Sequence, residues 1–159
     1  DELGSRVIAA RLVHDLMNLC FLMEKQYAPY SKWFGTGFQR LTCAQKLTPI
    51  LESVCDAPVW QVREKHLTKA YEIVAQMHNE LNITDPLPTT VSNFHTRPFQ
   101  VIHGEIFADA ILSRIEDPAV KRIADETRIG SIEQFSTSTP FLSHTTITRR
   151  ARMLYCADA

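Results

Sequence analysis

Apolar side chains recur at three- and four-residue steps along most of this 159-residue chain, a spacing typical of amphipathic helices. The first such segment, residues 2–26, has an apolar face wide enough to pack on more than one side. Further helices are predicted at 29–41, 44–54, 58–81, 98–115, 117–124 and near 146–155. No segment alternates apolar and polar residues strongly enough to predict a sheet. The sequence therefore predicts an all-α bundle of about five to seven helices.

The predicted helix at 58–81 separates into an apolar side and a charged side. Leu67, Tyr71, Val74 and Leu81 mark the stripe that we expect to be buried. The charged residues lie mostly off that stripe, so we expect them to form a solvated face with intrahelical ion pairs. They are Arg63, Glu64, Lys65, Lys69 and Glu72.

Two segments lie outside the helical pattern. Residues 82–97 contain Pro86 and Pro88 and predict a sixteen-residue loop, long enough to be a candidate functional loop. The chain from residue 127 onward is rich in Ser and Thr, which predicts an irregular C-terminal segment before the last short helix. We expect residues 1–159 to form a single helical domain.

Composition narrows the class of protein without pointing to an activity. Hydrophobic residues make up 45% of the chain, charged residues make up 22%, and the formal net charge is −1. Nucleic-acid and membrane-surface binders usually carry a clear basic excess, so this balance argues against both classes. The longest apolar run, at 16–23, is too short to span a membrane. Because the chain opens on Asp1 with neither an initiator Met nor a signal peptide, we expect the C-terminal part of a longer cytoplasmic protein.

The cysteines and histidines do not show the spacing of a metal site. Cys20, Cys43, Cys55 and Cys156 include no C-x-x-C pair. We expect all four to be reduced thiols, with Cys20 and Cys55 in apolar surroundings where a thiol behaves as a small hydrophobe. The six histidines include no pair at i,i+4, so we expect this chain to hold no metal or other cofactor of its own.

The most unusual stretch is residues 27–38, Tyr-Ala-Pro-Tyr-Ser-Lys-Trp-Phe-Gly-Thr-Gly-Phe, here called the aromatic–lysine segment. A flat ring can stack on a nucleobase and an ammonium group can meet a phosphate. Gly35 and Gly37, inside a helical pattern, indicate close approach of another backbone or a ligand. The alternative, which composition favours, is a tightly packed helix corner with aromatic anchors. The candidate binding residues of the segment are Tyr27, Tyr30, Ser31, Lys32 and Trp33, and the side chains expected on one side of its helix are Trp33, Phe34, Phe38 and Leu41.

A second candidate is a polar stripe on the first helix. Its side chains fall within a sector of about 100° at 3.6 residues per turn. Such a stripe could line a polar cavity or meet a partner domain. The alternative is an exposed face with an Arg11–Asp15 ion pair, in the less favourable orientation for a helix. The stripe consists of Arg11, His14, Asp15, Asn18 and Lys25.

A third candidate is Arg97 and His103, which are separated by five residues. This spacing resembles the signature of the helical HEPN ribonucleases, in which the pair acts on the scissile phosphate across a dimer. Histidine as general acid or base, with arginine stabilising a phosphorane, is sound chemistry. The pattern is permissive, and the polar residue that commonly follows the arginine is Pro98 here. Coincidence is therefore the alternative that we favour.

Several segments together resemble domain of unknown function 4037, a helical domain that often follows a nucleotidyltransferase-like domain in bacterial proteins. The resemblance extends from about residue 6 to residue 155, and its most specific part is the string Tyr-x-Pro-Tyr-Ser-Lys-Trp. The segments that carry it are 11–15, 27–36, 78–79, 97–99 and 129–134.

The resemblance implies a partner domain for a polymerase-β-like nucleotidyltransferase, with the bundle closing one side of the nucleotide and acceptor cleft. Tyr30, Lys32 and Arg97 would then suit phosphate contacts, and Trp33 would suit stacking or packing. Mg²⁺ and a nucleoside triphosphate would belong to the parent protein. The implied role is non-catalytic binding of a nucleotide or a small-molecule acceptor. The alternatives are a purely structural domain that docks the N-terminal nucleotidyltransferase-like domain, and a HEPN-like ribonuclease.

Overall fold

A computed structural model describes residues 1–126 and 145–154 of the chain. The predicted all-α architecture is confirmed. The helices are α1 (Glu2–Met23), α2 (Phe34–Phe38), α3 (Ala44–Asp56), α4 (Trp60–Glu80), α5 (Gly104–Ser113), α6 (Pro118–Glu126) and α7 (Thr145–Arg150), with 3₁₀ turns at Ser31–Trp33 and Ala151–Leu154. The chain divides into two compact units, Asp1–Ala108 and Asp109–Ala159.

Helix α1 begins and ends close to where the sequence predicts. The Asp1 side chain accepts a hydrogen bond from the Gly4 N–H at 3.0 Å, which satisfies one of the free donors at the start of the helix. The helix ends at Met23 because the chain turns at Lys25, whose φ is 55°. Its inward side carries Ala9, Val13, Leu16, Cys20 and Phe21, all of which are buried.

The core of the first unit lies where α1, α3 and α4 pack against one another. Cys20, Leu47, Val54 and Ala70 are completely buried there. Pro49 lies inside α3. It is the sixth residue of the helix, beyond the first turn, so its missing N–H removes the intrahelical hydrogen bond to the carbonyl four residues earlier.

The carboxylate of Glu24 connects the end of α1 to the start of α3. Its two oxygens accept hydrogen bonds from the backbone N–H groups of Thr42 and Cys43, each at 2.8 Å. Partial burial alone would raise the pKa of Glu24, but these hydrogen bonds outweigh it and hold that pKa below its usual value. The carboxylate thus satisfies donors that precede α3 and fixes the connection between the two helices.

The predicted helix from Pro98 was wrong at its start, because residues 92–101 form a hairpin instead. Strands β1 (Ser92–Asn93) and β2 (Gln100–Val101) are antiparallel, with Ser92 opposite Val101. The Phe94 N–H donates to the Phe99 carbonyl at 2.7 Å, and the Gln100 N–H donates to the Glu64 carboxylate at 3.0 Å. These two N–H groups therefore make no intrahelical hydrogen bond, and α5 starts only at Gly104. The expectation of no sheet is corrected by the same hairpin.

The described helices of the second unit agree with the predicted positions. The Asp117 carboxylate accepts from the N–H groups of Ala119 and Val120 at 2.8 and 3.2 Å, which caps α6. Helix α7 and its 3₁₀ turn match the last predicted helix. The predicted irregular segment from residue 127 and Cys156 lie outside the described residues.

Candidate functional site

The aromatic–lysine segment turns three of its rings toward solvent. The exposed fractions of Tyr27, Tyr30 and Trp33 are 97%, 57% and 58%. Ser31 and Lys32 are exposed beside them, and the Lys32 Nζ lies 5.8 Å from the centre of the Trp33 ring. The four side chains expected on one side of the helix do not share one environment, because Phe38 and Leu41 are buried whereas Trp33 is exposed. The helix-corner interpretation holds for the end of the segment and fails for its beginning.

Two phenylalanines of this segment pack against α1. Phe38 is buried, and its ring meets the edge of the Phe21 ring at a centroid distance of 6.3 Å. The Phe34 ring lies 5.5 Å from Phe21 and 4.8 Å from His14. The second helix begins later than Pro29, with a 3₁₀ turn at Ser31–Trp33 and an α-helix from Phe34. The packed end of the segment thus holds the exposed end against the fold.

The two glycines of the segment play different parts. A Cβ atom added to Gly37 would lie 2.6 Å from Cγ of Pro29, so the group that approaches this glycine closely is a proline ring and not the expected backbone or ligand. The same atom added to Gly35 would meet nothing within 4 Å. Close packing of Gly37 against Pro29 therefore sets the path of the segment, whereas Gly35 plays no such part.

The polar stripe lies next to the aromatic–lysine segment, with Arg11 and Asp15 exposed and His14 and Asn18 half-buried. Lys25, expected on the same helix, lies beyond its end at Met23. The Nδ2 of Asn18 donates to Nδ1 of His14 at 3.2 Å, and the His14 ring packs on Phe34. Arg11 and Asp15 approach to 3.9 Å, with both side chains more than half exposed. This is the exposed pair expected as the alternative. The contact between His14 and Phe34 brings together two features that the sequence presented separately.

Arg97 belongs to a different part of the first unit. It lies in the hairpin turn, where its backbone N–H donates to the Phe94 carbonyl at 3.0 Å and its side chain is exposed. The hairpin packs on α4, with the Phe99 ring 5.8 Å from that of Trp60. The contacts of the described residues do not bring Arg97 against Lys32. Arg97 and His103 also do not share a helix, because both precede α5.

His103 has two partners that the sequence did not indicate. Its Nε2 lies 2.8 Å from the Ser92 hydroxyl oxygen, and its Nδ1 lies 3.2 Å from the Glu105 carboxylate. Its φ is 54°, a left-handed conformation that is uncommon outside glycine. No sequence signal could identify Ser92, because its approach to His103 depends on the register of a hairpin that was not predicted.

The thiols of the first unit are poor nucleophiles. Cys20 and Cys43 are buried and unoxidised, and burial raises the pKa of Cys20 to about 11 and that of Cys43 further still. Cys55 is exposed, contrary to the expected apolar surroundings. In the part of the chain that the structure describes, no three His, Cys, Asp or Glu side chains are placed to share a metal ion.

Comparison with known families supports the resemblance over the first part of the chain. Residues 1–34 match the family model for Domain of unknown function (DUF4037). The family resemblance is confirmed over those residues. The DUF4037 match contains α1, the polar stripe and the first part of the aromatic–lysine segment, through Phe34. No curated protein and no solved structure matches the chain. Within residues 1–126 and 145–154, no helix has both the length and the apolar character needed to cross a membrane.

Proposed function

We propose that the chain is a helical domain that is non-catalytic in nucleotidyl transfer and binds a nucleotide or a phosphate-bearing acceptor for a nucleotidyltransferase-like catalytic domain. The proposed contact surface consists of Tyr27, Tyr30, Ser31, Lys32 and Trp33. The observation that carries the proposal is the exposure of Tyr27, Tyr30 and Trp33 around an exposed lysine. Mg²⁺ and the nucleoside triphosphate would be bound mainly by the catalytic domain, which we propose lies N-terminal to this one.

Exposed aromatic rings held on a fixed support suit the recognition of bases. Stacking of one base on an aromatic side chain is worth about 1–3 kcal/mol. The Lys32 Nζ lies 5.8 Å from the centre of the Trp33 ring and can meet a phosphate attached to a stacked base. Phe34 and Phe38 supply the support, because both pack on Phe21 of α1 and hold the end of the segment that follows Trp33.

Calorimetry of this chain with nucleoside triphosphates, with and without Mg²⁺, tests the proposal. A ligand at 100 times its Kd adds about 2.7 kcal/mol to the free energy of unfolding, which a thermal melt also detects. We expect Lys32→Ala and Trp33→Ala each to weaken binding about tenfold. Lys69→Ala removes an exposed lysine from α4 and is the matched control. Equal affinities for Lys32→Ala and Lys69→Ala would contradict the proposed surface.

A docking function is the second candidate, and the outward side of α1 favours it. Leu3, Val7, Ile8 and Leu22 are between 61% and 75% exposed. At 100° per residue they fall within about 140° of one another, on the side of α1 opposite the core. The polar stripe lies in the same sector. The sector therefore carries large unburied apolar side chains interleaved with polar ones, a combination that suits a partner surface, here the proposed N-terminal nucleotidyltransferase-like domain.

Binding of that N-terminal domain, expressed as a separate chain, tests the docking function. We expect Val7→Lys to weaken the complex about tenfold or more, because a charge would be buried at the contact. Glu52→Lys changes the charge of an exposed residue on α3 and serves as control. The binding role would be supported over docking by two results together: this chain alone binds nucleotide, and Val7→Lys binds the N-terminal domain as tightly as the unaltered chain does.

A further inference from the structure

His103 makes a hydrogen bond through each of its two ring nitrogens. The Ser92 hydroxyl lies at Nε2 and the Glu105 carboxylate lies at Nδ1, at 2.8 and 3.2 Å. A carboxylate can only accept, so Nδ1 carries a proton. In the neutral ring Nε2 is then the acceptor for the Ser92 hydroxyl. A hydroxyl, an imidazole and a carboxylate are thus joined in the order that activates a serine nucleophile.

Three elements of the fold bring these side chains together. Ser92 lies on β1 opposite Val101, two residues before His103. The left-handed backbone of His103 turns the chain from β2 toward α5. Glu105 follows in the first turn of α5. The arrangement is therefore a property of the hairpin and the helix that follows it.

The charge and the exposure of the site suit the same chemistry. The backbone N–H of Glu105 lowers the pKa of its carboxyl group, and His103 lowers it further, so the group is ionised at neutral pH. An ionised carboxylate holds the imidazole in one tautomer and stabilises the imidazolium that forms during proton transfer. Ser92 is exposed, and the His103 side chain is 29% exposed. A small solute can therefore reach the hydroxyl.

We propose that Ser92, His103 and Glu105 form a catalytic site that hydrolyses small carboxylic esters, an activity beyond the proposed binding role. The Ser92 Oγ forms a bond to the ester carbonyl carbon while its proton moves to Nε2 of His103. The ester C–O bond then breaks, and the leaving alcohol takes that proton. The acyl group stays on Ser92 until water attacks its carbonyl carbon, giving one proton to Nε2. The Oγ–acyl bond breaks, and the proton on Nε2 returns to Ser92, leaving carboxylic acid and alcohol as products.

Labelling with a fluorophosphonate, located by peptide mass spectrometry, tests the nucleophile directly. We expect the label on Ser92, with no labelling of Ser92→Ala and labelling at least about tenfold slower in His103→Gln. Ser113→Ala and His66→Ala remove a serine and a histidine from other parts of the chain and serve as matched controls. Absence of the label, or its attachment to a different residue, would overturn the proposal.

Hydrolysis of p-nitrophenyl acetate provides the second measurement. We expect Ser92→Ala to reduce turnover about tenfold or more, and Glu105→Gln to reduce it less, because the amide still hydrogen-bonds to the ring but lacks the charge. Equal turnover by the unaltered chain and by Ser92→Ala would show that an imidazole acts directly on the ester, and would overturn the proposal. Glu105→Gln changes one exposed side chain isosterically, so it tests the site even if Ser92→Ala fails to fold.

Discussion

The Arg63 guanidinium is buried between α4 and α1, where its Nη1 donates to the Glu2 carboxylate at 3.2 Å. The same Nη1 donates to the Ser5 hydroxyl at 2.6 Å, and Nη2 donates to the Ala57 carbonyl at 2.8 Å. The Glu2 carboxylate also accepts from the Trp60 N–H at 3.0 Å. The Arg63 Nε has no hydrogen-bond partner among the described residues. This ion pair therefore joins the starts of both long helices through a side chain that is only 2% exposed.

Removing Glu2 should destabilise the chain more than an ordinary surface substitution does. Glu2→Ala leaves the Arg63 charge buried without its counterion, and it leaves the Trp60 N–H without its acceptor. We expect Glu2→Ala to have a lower melting temperature than Glu2→Gln, because glutamine keeps a hydrogen-bond acceptor. Both variants should melt below the unaltered chain, because both lose the charge. Glu52→Ala, on the exposed side of α3, is the control. Equal melting temperatures for Glu2→Ala and Glu52→Ala would contradict this role.

The two glycines of the aromatic–lysine segment should respond to alanine in opposite directions. In Gly37→Ala the new methyl group meets the Pro29 ring, and we expect a loss of about 1–3 kcal/mol in the free energy of unfolding. In Gly35→Ala the methyl group is unobstructed, and the better helix former should add up to about 1 kcal/mol. Urea unfolding of both variants checks the pair. A stabilised Gly37→Ala would show that Pro29 does not pack there.

Acid should weaken the connection that Glu24 makes between α1 and α3. Its pKa is lowered in the folded chain, so the folded state prefers the ionised form more strongly than the unfolded state does. The stabilisation is complete above the ordinary value of 4.5 and is lost as the pH falls through the lower folded value. We expect the free energy of unfolding of Glu24→Gln to fall less steeply than that of the unaltered chain below pH 4.5. Parallel curves over that range would contradict the prediction.

His78 should make stability depend on pH in a higher range. Its side chain is buried near the end of α4, where Nε2 lies 2.9 Å from the Thr84 hydroxyl and the ring meets the edge of Phe107. Burial lowers its pKa from 6.5, so the unfolded chain binds the proton first as the pH falls. Its contribution is therefore intact above pH 6.5 and declines below it. We expect the free energy of unfolding of His78→Gln, measured with urea, to fall less steeply between pH 7 and pH 5 than that of the unaltered chain. Equal slopes for the two chains would contradict the prediction.

The long helices could be predicted because their apolar side chains repeat with the helical period. Periodicity placed α1, α3 and α4 within a few residues of their observed ends, and Pro118 marked the start of α6. The same reasoning predicted a helix through residues 98–103, because Val101 and Ile102 fit a helical stripe as well as a short strand. The hydrogen bond from Gln100 to Glu64 decided against the helix, and it joins residues 36 positions apart.

The candidate site was predicted only in part, because contacts between distant residues decide which of its side chains are buried. The aromatic–lysine segment stood out by composition, but the sequence could not separate the packed rings from the exposed ones. Phe34 and Phe38 are fixed by Phe21 on α1, whereas Trp33 faces solvent. Arg63 shows the opposite error, since a charged residue expected on a solvated face is buried against Glu2.

By itself the sequence determined the helical class, the positions of the long helices and the DUF4037 resemblance of residues 1–34, because periodicity and composition are local properties. The tertiary structure decided which of those side chains meet. It placed His14 on Phe34, buried Arg63 beside Glu2, and joined Ser92 to Glu105 through His103. Contacts of this kind depend on helix packing and on hairpin register, which arise only when distant parts of the chain bury their surfaces together.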